Sequence, residues 1–156
     1  MLRMSADCHC GVLALFDIAY HRNGERTRTS EIAARQGLSR GYLEQVCQRL
    51  KRANLVKSVR GPAGGYVLAR AVGEITIGDI IRAADGPIQL VRCGEEGSLR
   101  GYCERIHSCV ARDVWKAASN LLMSSFDSVT LADLCEMARA KGVKRASEGR
   151  EFTYFI

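Results

Sequence analysis

The feature that most constrains this chain is a junction. Between Ser39 and Arg70 a helix-length amphipathic stretch runs directly into two short β-rich runs around a Gly/Pro turn. In "SRGYLEQVCQRLKRANL", Leu43, Val46, Cys47 and Leu50 fall at i, i+3, i+4 and i+7, which predicts one buried stripe on a helix capped by Ser39. The remaining faces carry Arg40, Tyr42, Glu44, Gln45, Gln48, Arg49, Lys51 and Arg52. The preceding "SEIAARQ" reads as a shorter helix, capped by Thr29 or Ser30 and stopped at Gly37. A short helix, a tight turn through Gly37 and Leu38, and a longer helix with a basic, amide-rich face form a helix-turn-helix pattern. The helices alone leave open an ordinary three-helix packing with a solvated charged face. The next segment narrows the choice. "LVKSVRGPAGGYVLAR" predicts strands at Leu55 to Val59 and Tyr66 to Leu68, and a hairpin directly after a recognition helix is a wing. Arg60 stands where the strand enters the turn, a position suited to the negative potential of a narrow minor groove. The expected fold is therefore mainly α with a small β-hairpin wing: a winged helix-turn-helix followed by a long dimerisation helix.

Charge supports a polyanion partner. The chain of 156 residues carries a net charge of +6. From Ser39 to Val72, seven basic residues (Arg40, Arg49, Lys51, Arg52, Lys57, Arg60, Arg70) face one acid, Glu44, so the excess is concentrated. Double-stranded DNA is the partner such a surface fits. No cofactor-binding fingerprint or nucleophile–base pair is visible, so an enzyme is not expected. The N-terminal apolar run is about six residues, interrupted by Asp17, too short for a secretion signal or a membrane span. A cytoplasmic protein without a membrane role is expected.

Around that junction the chain divides into a DNA-binding segment (1–86), a cysteine-rich loop (87–109), a dimerisation helix with a final helix (110–142) and a tail (143–156). The first helix is expected from Ala6 to about Tyr20, with Val12, Leu15, Phe16 and Ala19 on its buried face. Thr76 should cap a fourth helix that buries Ile77, Ile80, Ile81 and Ala84 and ends at Gly86. A long helix from about Val110 to Asp127 carries Val114, Ala117, Ala118, Leu121 and Leu122 as an apolar stripe. A second subunit is the simplest cover for that stripe, and it matches palindromic operators; the alternative is packing onto its own winged domain. The tail receives no assignment.

Seven cysteines form an odd set, which in a reducing compartment points away from a disulfide framework. Cys47 and Cys135 fall on apolar helix faces and read as small buried hydrophobes. Cys93, Cys103 and Cys109 differ: their C-x9-C-x5-C spacing lies in a glycine-rich stretch where no helix stripe needs them. Soft thiolates select zinc, copper(I) or iron–sulfur clusters, and no tight C-x2-C pair suits zinc here. Wide gaps fit a loop wrapped around an iron–sulfur cluster, with zinc or a thiol–disulfide switch as the alternatives. Three thiols leave a fourth ligand to find. His107 lies within the loop, and "CHC" offers Cys8, His9 and Cys10, one of which could reach across a dimer.

"YLEQ" in the third helix and "VRGPAGGY" in the wing resemble the Rrf-two family of bacterial transcription regulators (IscR-, NsrR- and RirA-like), over about residues 1 to 137. The resemblance implies a winged helix with a long dimerisation helix, usually a repressor. Three cysteines after the fourth helix imply an iron–sulfur cluster whose state switches DNA binding in response to iron, redox stress or nitric oxide. By position, Arg40, Tyr42, Glu44 and Gln45, with Ser39 ahead of them, fall in the base-reading helix, and Arg60, followed by Gly61, falls on the wing arginine that enters the minor groove. Cys93, Cys103 and Cys109 fall on the cluster cysteines, and Trp115 on an aromatic often found after the last cysteine. The first cysteine gap is longer than usual, and the IscR-like histidine three residues past the last cysteine is Arg112. NsrR-like members take a ligand from the start of the partner's first helix, and that position is His9. A histidine ligand suits a 2Fe–2S centre ahead of a 4Fe–4S one.

Overall fold

Leu43, Val46, Cys47 and Leu50 are all buried, so the stripe read from the sequence is the inner face of the helix-turn-helix. The computed structural model describes residues 3–61, 64–91 and 108–146. Their order is α1 (Ala6–Arg22), α2 (Thr29–Gln36), α3 (Arg40–Arg52), β1 (Val56–Val59), β2 (Gly65–Leu68), α4 (Ile77–Ala84), α5 (Val110–Asp127) and α6 (Leu131–Ala140). The fold is mainly helical with one antiparallel hairpin, as expected, and among the described residues no helix is long and apolar enough to cross a membrane.

α1 is the hub. Ser5 caps it by accepting the Cys8 backbone N–H at 3.0 Å, and Asn23, in the left-handed conformation, ends it. It packs against α2, α3, α4, α6 and β2. Enclosure on so many sides explains why its buried set is wider than one stripe: Leu15 and Ala19 are buried, but so are Cys8, Cys10, Ala14, Ile18 and Tyr20, while Val12 and Phe16 are only partly covered. One buried residue is a carboxylate. Asp17 has no exposure and accepts bonds from Arg35 Nη2 (2.6 Å), Arg35 Nε (3.0 Å) and Gln36 Nε2 (2.9 Å). These fix α2 on α1.

α2 begins one position earlier than the Thr29-or-Ser30 cap predicted: Thr29 is already helical, and Arg28 occupies the cap position with no side-chain capping bond. Gly37 adopts φ +64°, the left-handed turn that lets the chain pass into α3. The wing pairs Val56 with Leu68, Lys57 with Val67, Ser58 with Tyr66 and Val59 with Gly65. A third, one-residue edge comes from the α1–α2 connection: Thr27 and Tyr66 exchange two backbone hydrogen bonds, both 2.9 Å. Gly65 makes this possible, because a Cβ there would lie 2.2 Å from the Thr27 carbonyl oxygen.

Thr76 caps α4 as predicted, in a reciprocal box with Asp79. Arg82 then grips Asp127, at the end of α5, through bonds of 2.7 and 3.1 Å, and the close approach requires Gly78. Beyond that anchor α5 is largely bare. Only Ser119 is buried; of the stripe, Ala118 and Leu122 are half-buried, whereas Val114 and Leu121 are 62% and 73% exposed, so the described residues leave it only partly covered. α6 returns to α1 and buries Leu131, Cys135 and Ala138 in the core. Residues 143–146 then cross the end of α1: Tyr20 Oη donates to the Val143 carbonyl (2.6 Å), and the Ala146 N–H donates to His21 Nδ1 (2.9 Å).

Asp17→Ala should cost about 3 kcal/mol in urea unfolding, because it leaves the largely buried Arg35 with only the more distant Glu31 carboxylate, 3.7 Å away, as counter-charge. Gly65→Ala should cost about 1–3 kcal/mol by forcing the Thr27 edge off the wing. A midpoint unchanged in either variant would contradict these roles.

Candidate nucleic-acid interface and thiol site

α3 presents its predicted residues unequally. Ser39 holds the cap position, is exposed, and makes no capping bond with its side chain. Arg40 and Glu44, one turn apart, form an ion pair of 3.0 Å. Gln45 is exposed. Tyr42 differs from the exposed position read from the sequence: it is half-buried, and its hydroxyl donates to Asp7 Oδ1 at 2.5 Å. Arg49 meets the same carboxylate and also donates to the Ala84 carbonyl at 3.3 Å. Asp7 thus draws one flank of α3 toward the start of α1 and the end of α4. The Tyr42 bond, with Arg49 beside it, holds the Asp7 carboxyl below the usual range, and the same bond pushes the Tyr42 phenol up to about 12.

With Tyr42 and Arg49 turned toward α1, the outward arc of α3 is formed by Gly41, Gln45, Gln48 and Arg52, all exposed. Gln48 reaches the wing, with Nε2 3.4 Å from Tyr66 Oη. Arg60 is exposed at the end of β1, and Gly61 takes φ +117°, with the Gly64 N–H closing the turn onto the Gly61 carbonyl at 2.8 Å. The helix and the wing therefore adjoin through the Gln48–Tyr66 contact, and Arg52 and Arg60 are both exposed. Two exposed arginines, Arg26 and Arg28, flank the Thr27 edge and were not singled out in the sequence, which offers no periodicity around a one-residue bridge.

The thiols separate sharply. Cys8, Cys10, Cys47 and Cys135 are buried, and burial pushes all four thiols up, Cys8 to about 11 and Cys47 to about 12. Cys109 is half-exposed at the N-terminus of α5 and makes no capping bond. His9, between two buried thiols, points outward from α1. Cys93, Cys103 and His107 lie outside the described residues. Among the described residues no three His, Cys, Asp or Glu side chains are gathered to hold a metal ion.

A family model described as "Iron-dependent Transcriptional regulator", Rrf2, matches residues 4–137. The chain belongs to the Rrf2 family. It is similar to the HTH-type transcriptional regulator IscR of Yersinia pseudotuberculosis, 35% identical over 134 residues, covering 85% of this chain and 79% of the relative. Among solved structures it is similar to T. potens IscR (TM-score 0.71, 36% identity, 93% of this chain and 94% of that one). It is equally identical to B. subtilis CymR, described as the global cysteine regulator (TM-score 0.69, 36% identity, 88% and 98%). These relatives are transcriptional regulators, not enzymes, in keeping with the winged-helix architecture.

Native alkylation of metal-free protein should therefore modify Cys109 well before Cys8, Cys10, Cys47 or Cys135, with mass spectrometry reading the order. Early labelling of Cys47 would contradict its place in the core.

Proposed function

We propose that this Rrf2 regulator is a homodimeric, DNA-binding repressor whose affinity for a palindromic operator is switched by an iron–sulfur cluster. The observation that carries the reading is the sorting of thiols. Four are buried, while Cys109 at the head of α5 is half-exposed; Cys93 and Cys103, outside the described residues, are the thiols the sequence groups with it. His9 is exposed while Cys8 and Cys10 face inward, so the imidazole is the group that "CHC" offers to a neighbour. Three thiolates and one imidazole fit a 2Fe–2S centre ahead of a 4Fe–4S one, with His9 supplied by the second subunit. When bound, such a centre supplies iron and redox responsiveness.

The chain's own residues carry the rest. The bare apolar face of α5 suits a two-fold partner. On the DNA side, Ser39, Arg40, Glu44 and Gln45 meet the major groove, Arg60 with Gly61 enters the minor groove, and Tyr42 positions α3 through Asp7. His9 lies two residues from Asp7, whose carboxylate holds Tyr42 and Arg49, so a pull at the start of α1 acts on the reading helix at once.

A second reading has its own support. Likeness to CymR, described as a global cysteine regulator, at the same identity as to IscR fits in part the alternative of a cluster-free regulator gated by thiol oxidation or a partner. Anaerobically purified protein separates the two. We expect bound iron and acid-labile sulfide, a visible absorption band, and a changed band in His9→Ala. Colourless protein, or stoichiometric zinc, would sink the cluster. Arg60→Ala should weaken operator binding by about tenfold or more, the scale of one lost arginine contact.

A further inference from the structure

The basic residues of the winged body fall into two groups. Arg22, Arg35, Arg40, Arg49, Arg70 and Arg82 are each committed to a carboxylate. Between residues 3 and 91, apart from Arg3 at the N-terminus, the basic side chains outside the ion pairs are Arg26, Arg28, Lys51, Arg52, Lys57 and Arg60. All six are exposed. They are also adjacent in the fold: the last turn of α3, the wing, and the edge that the α1–α2 connection adds to the wing. Glu25 is the one acidic neighbour in that connection.

Sheet geometry aligns three of them. Thr27 pairs with Tyr66, and both are buried on the inner face of the wing. Successive side chains on an extended strand point to opposite faces. Arg26 and Arg28 therefore stand on the outer face, and Arg28 is extended (φ −71°, ψ 142°). Lys57 pairs with Val67, one residue on from Tyr66, and so shares that outer face. Gly65 presses the edge against the hairpin, since a Cβ there would lie 3.0 Å from Arg28 Cα.

We propose that Arg26 and Arg28, with Lys57, form a phosphate-gripping surface on the outer face of the wing, holding the duplex backbone outside the base pairs read by α3. Ion-paired arginines would have to break an internal contact to meet phosphate; these three do not. Contacts of this kind add affinity and salt dependence but no sequence information. The proposal rests on the DNA-binding reading of the same surface.

The test measures binding of the full-length protein against salt concentration, by fluorescence anisotropy, on two duplexes: one of random sequence, and the tightest binder selected from a random library. Each lost phosphate contact lowers the slope of log affinity against log salt by about 0.9. Arg26→Gln with Arg28→Gln should lower it by about 2 per subunit and weaken both duplexes by the same factor. Arg26→Lys with Arg28→Lys should restore most of the slope. An unchanged slope and affinity in the glutamine variant would overturn the proposal while leaving the regulator reading intact. So would loss confined to the selected duplex, which would mark base reading. Wild-type protein that binds neither duplex would end the DNA-binding reading and this proposal with it.

Discussion

A carboxylate with no access to water has to be met by donors, and Asp17 meets them only if α2 lies in one place. Arg35 supplies two nitrogens and Gln36 a third, all from the last turn and a half of α2. The pair is weak evidence for net stability, since desolvating both charges offsets much of their attraction. Its effect is on geometry. With α2 fixed on α1, the left-handed Gly37 sets where α3 departs, and the buried stripe of α3 closes the remaining freedom. The proposed reading helix is thus aimed by an ion pair that lies between the two helices preceding it.

Two smaller carboxylate clusters extend this framework. Asp7 gathers Tyr42 and Arg49 from α3, and Arg49 continues to the last carbonyl of α4. Asp79 completes the Thr76 capping box of α4 while holding Arg70 and Arg82, and Arg82 passes on to Asp127 at the end of α5. α1, α3, α4 and α5 are thereby connected through side chains with definite partners. The same economy explains the free charge: the arginines used as internal struts are those nearest an acid, which leaves the wing, its edge and the end of α3 as the electropositive surface.

How much of this was legible in the sequence depended on how each element packs. α3 has one covered face, so its periodicity named Leu43, Val46, Cys47 and Leu50 correctly. The Thr76 cap followed from local chemistry, with Asp79 three residues on. α1 was less readable because a hub helix buries residues on most sides, and no single stripe describes it. Tyr42 looked exposed because its partner, Asp7, is 35 positions away and contributes no local signal. The Thr27 edge is a single bridging residue, below any pattern of alternation, and the arginines that flank it could be recognised only once the wing was assembled. Cys8, Cys10 and His9 could not be ranked from "CHC" alone; packing ranks them, by turning the thiols inward and the imidazole out.

α5 carries the remaining tension in the fold. Its C-terminal end is pinned by Arg82 and its middle by Ser119, which accepts the Leu90 N–H at 3.1 Å. The half that begins with Cys109 projects an apolar surface of Val110, Val114 and Trp115 that nothing in the described chain covers. Apolar side chains this exposed on a helix call for a partner surface. In the proposed dimer a two-fold partner would cover them and would supply the second α1 whose outward His9 is the proposed fourth ligand. In that dimer the cover of α5 and the fourth ligand become one requirement rather than two: the association that would bury the stripe would also complete the proposed metal site.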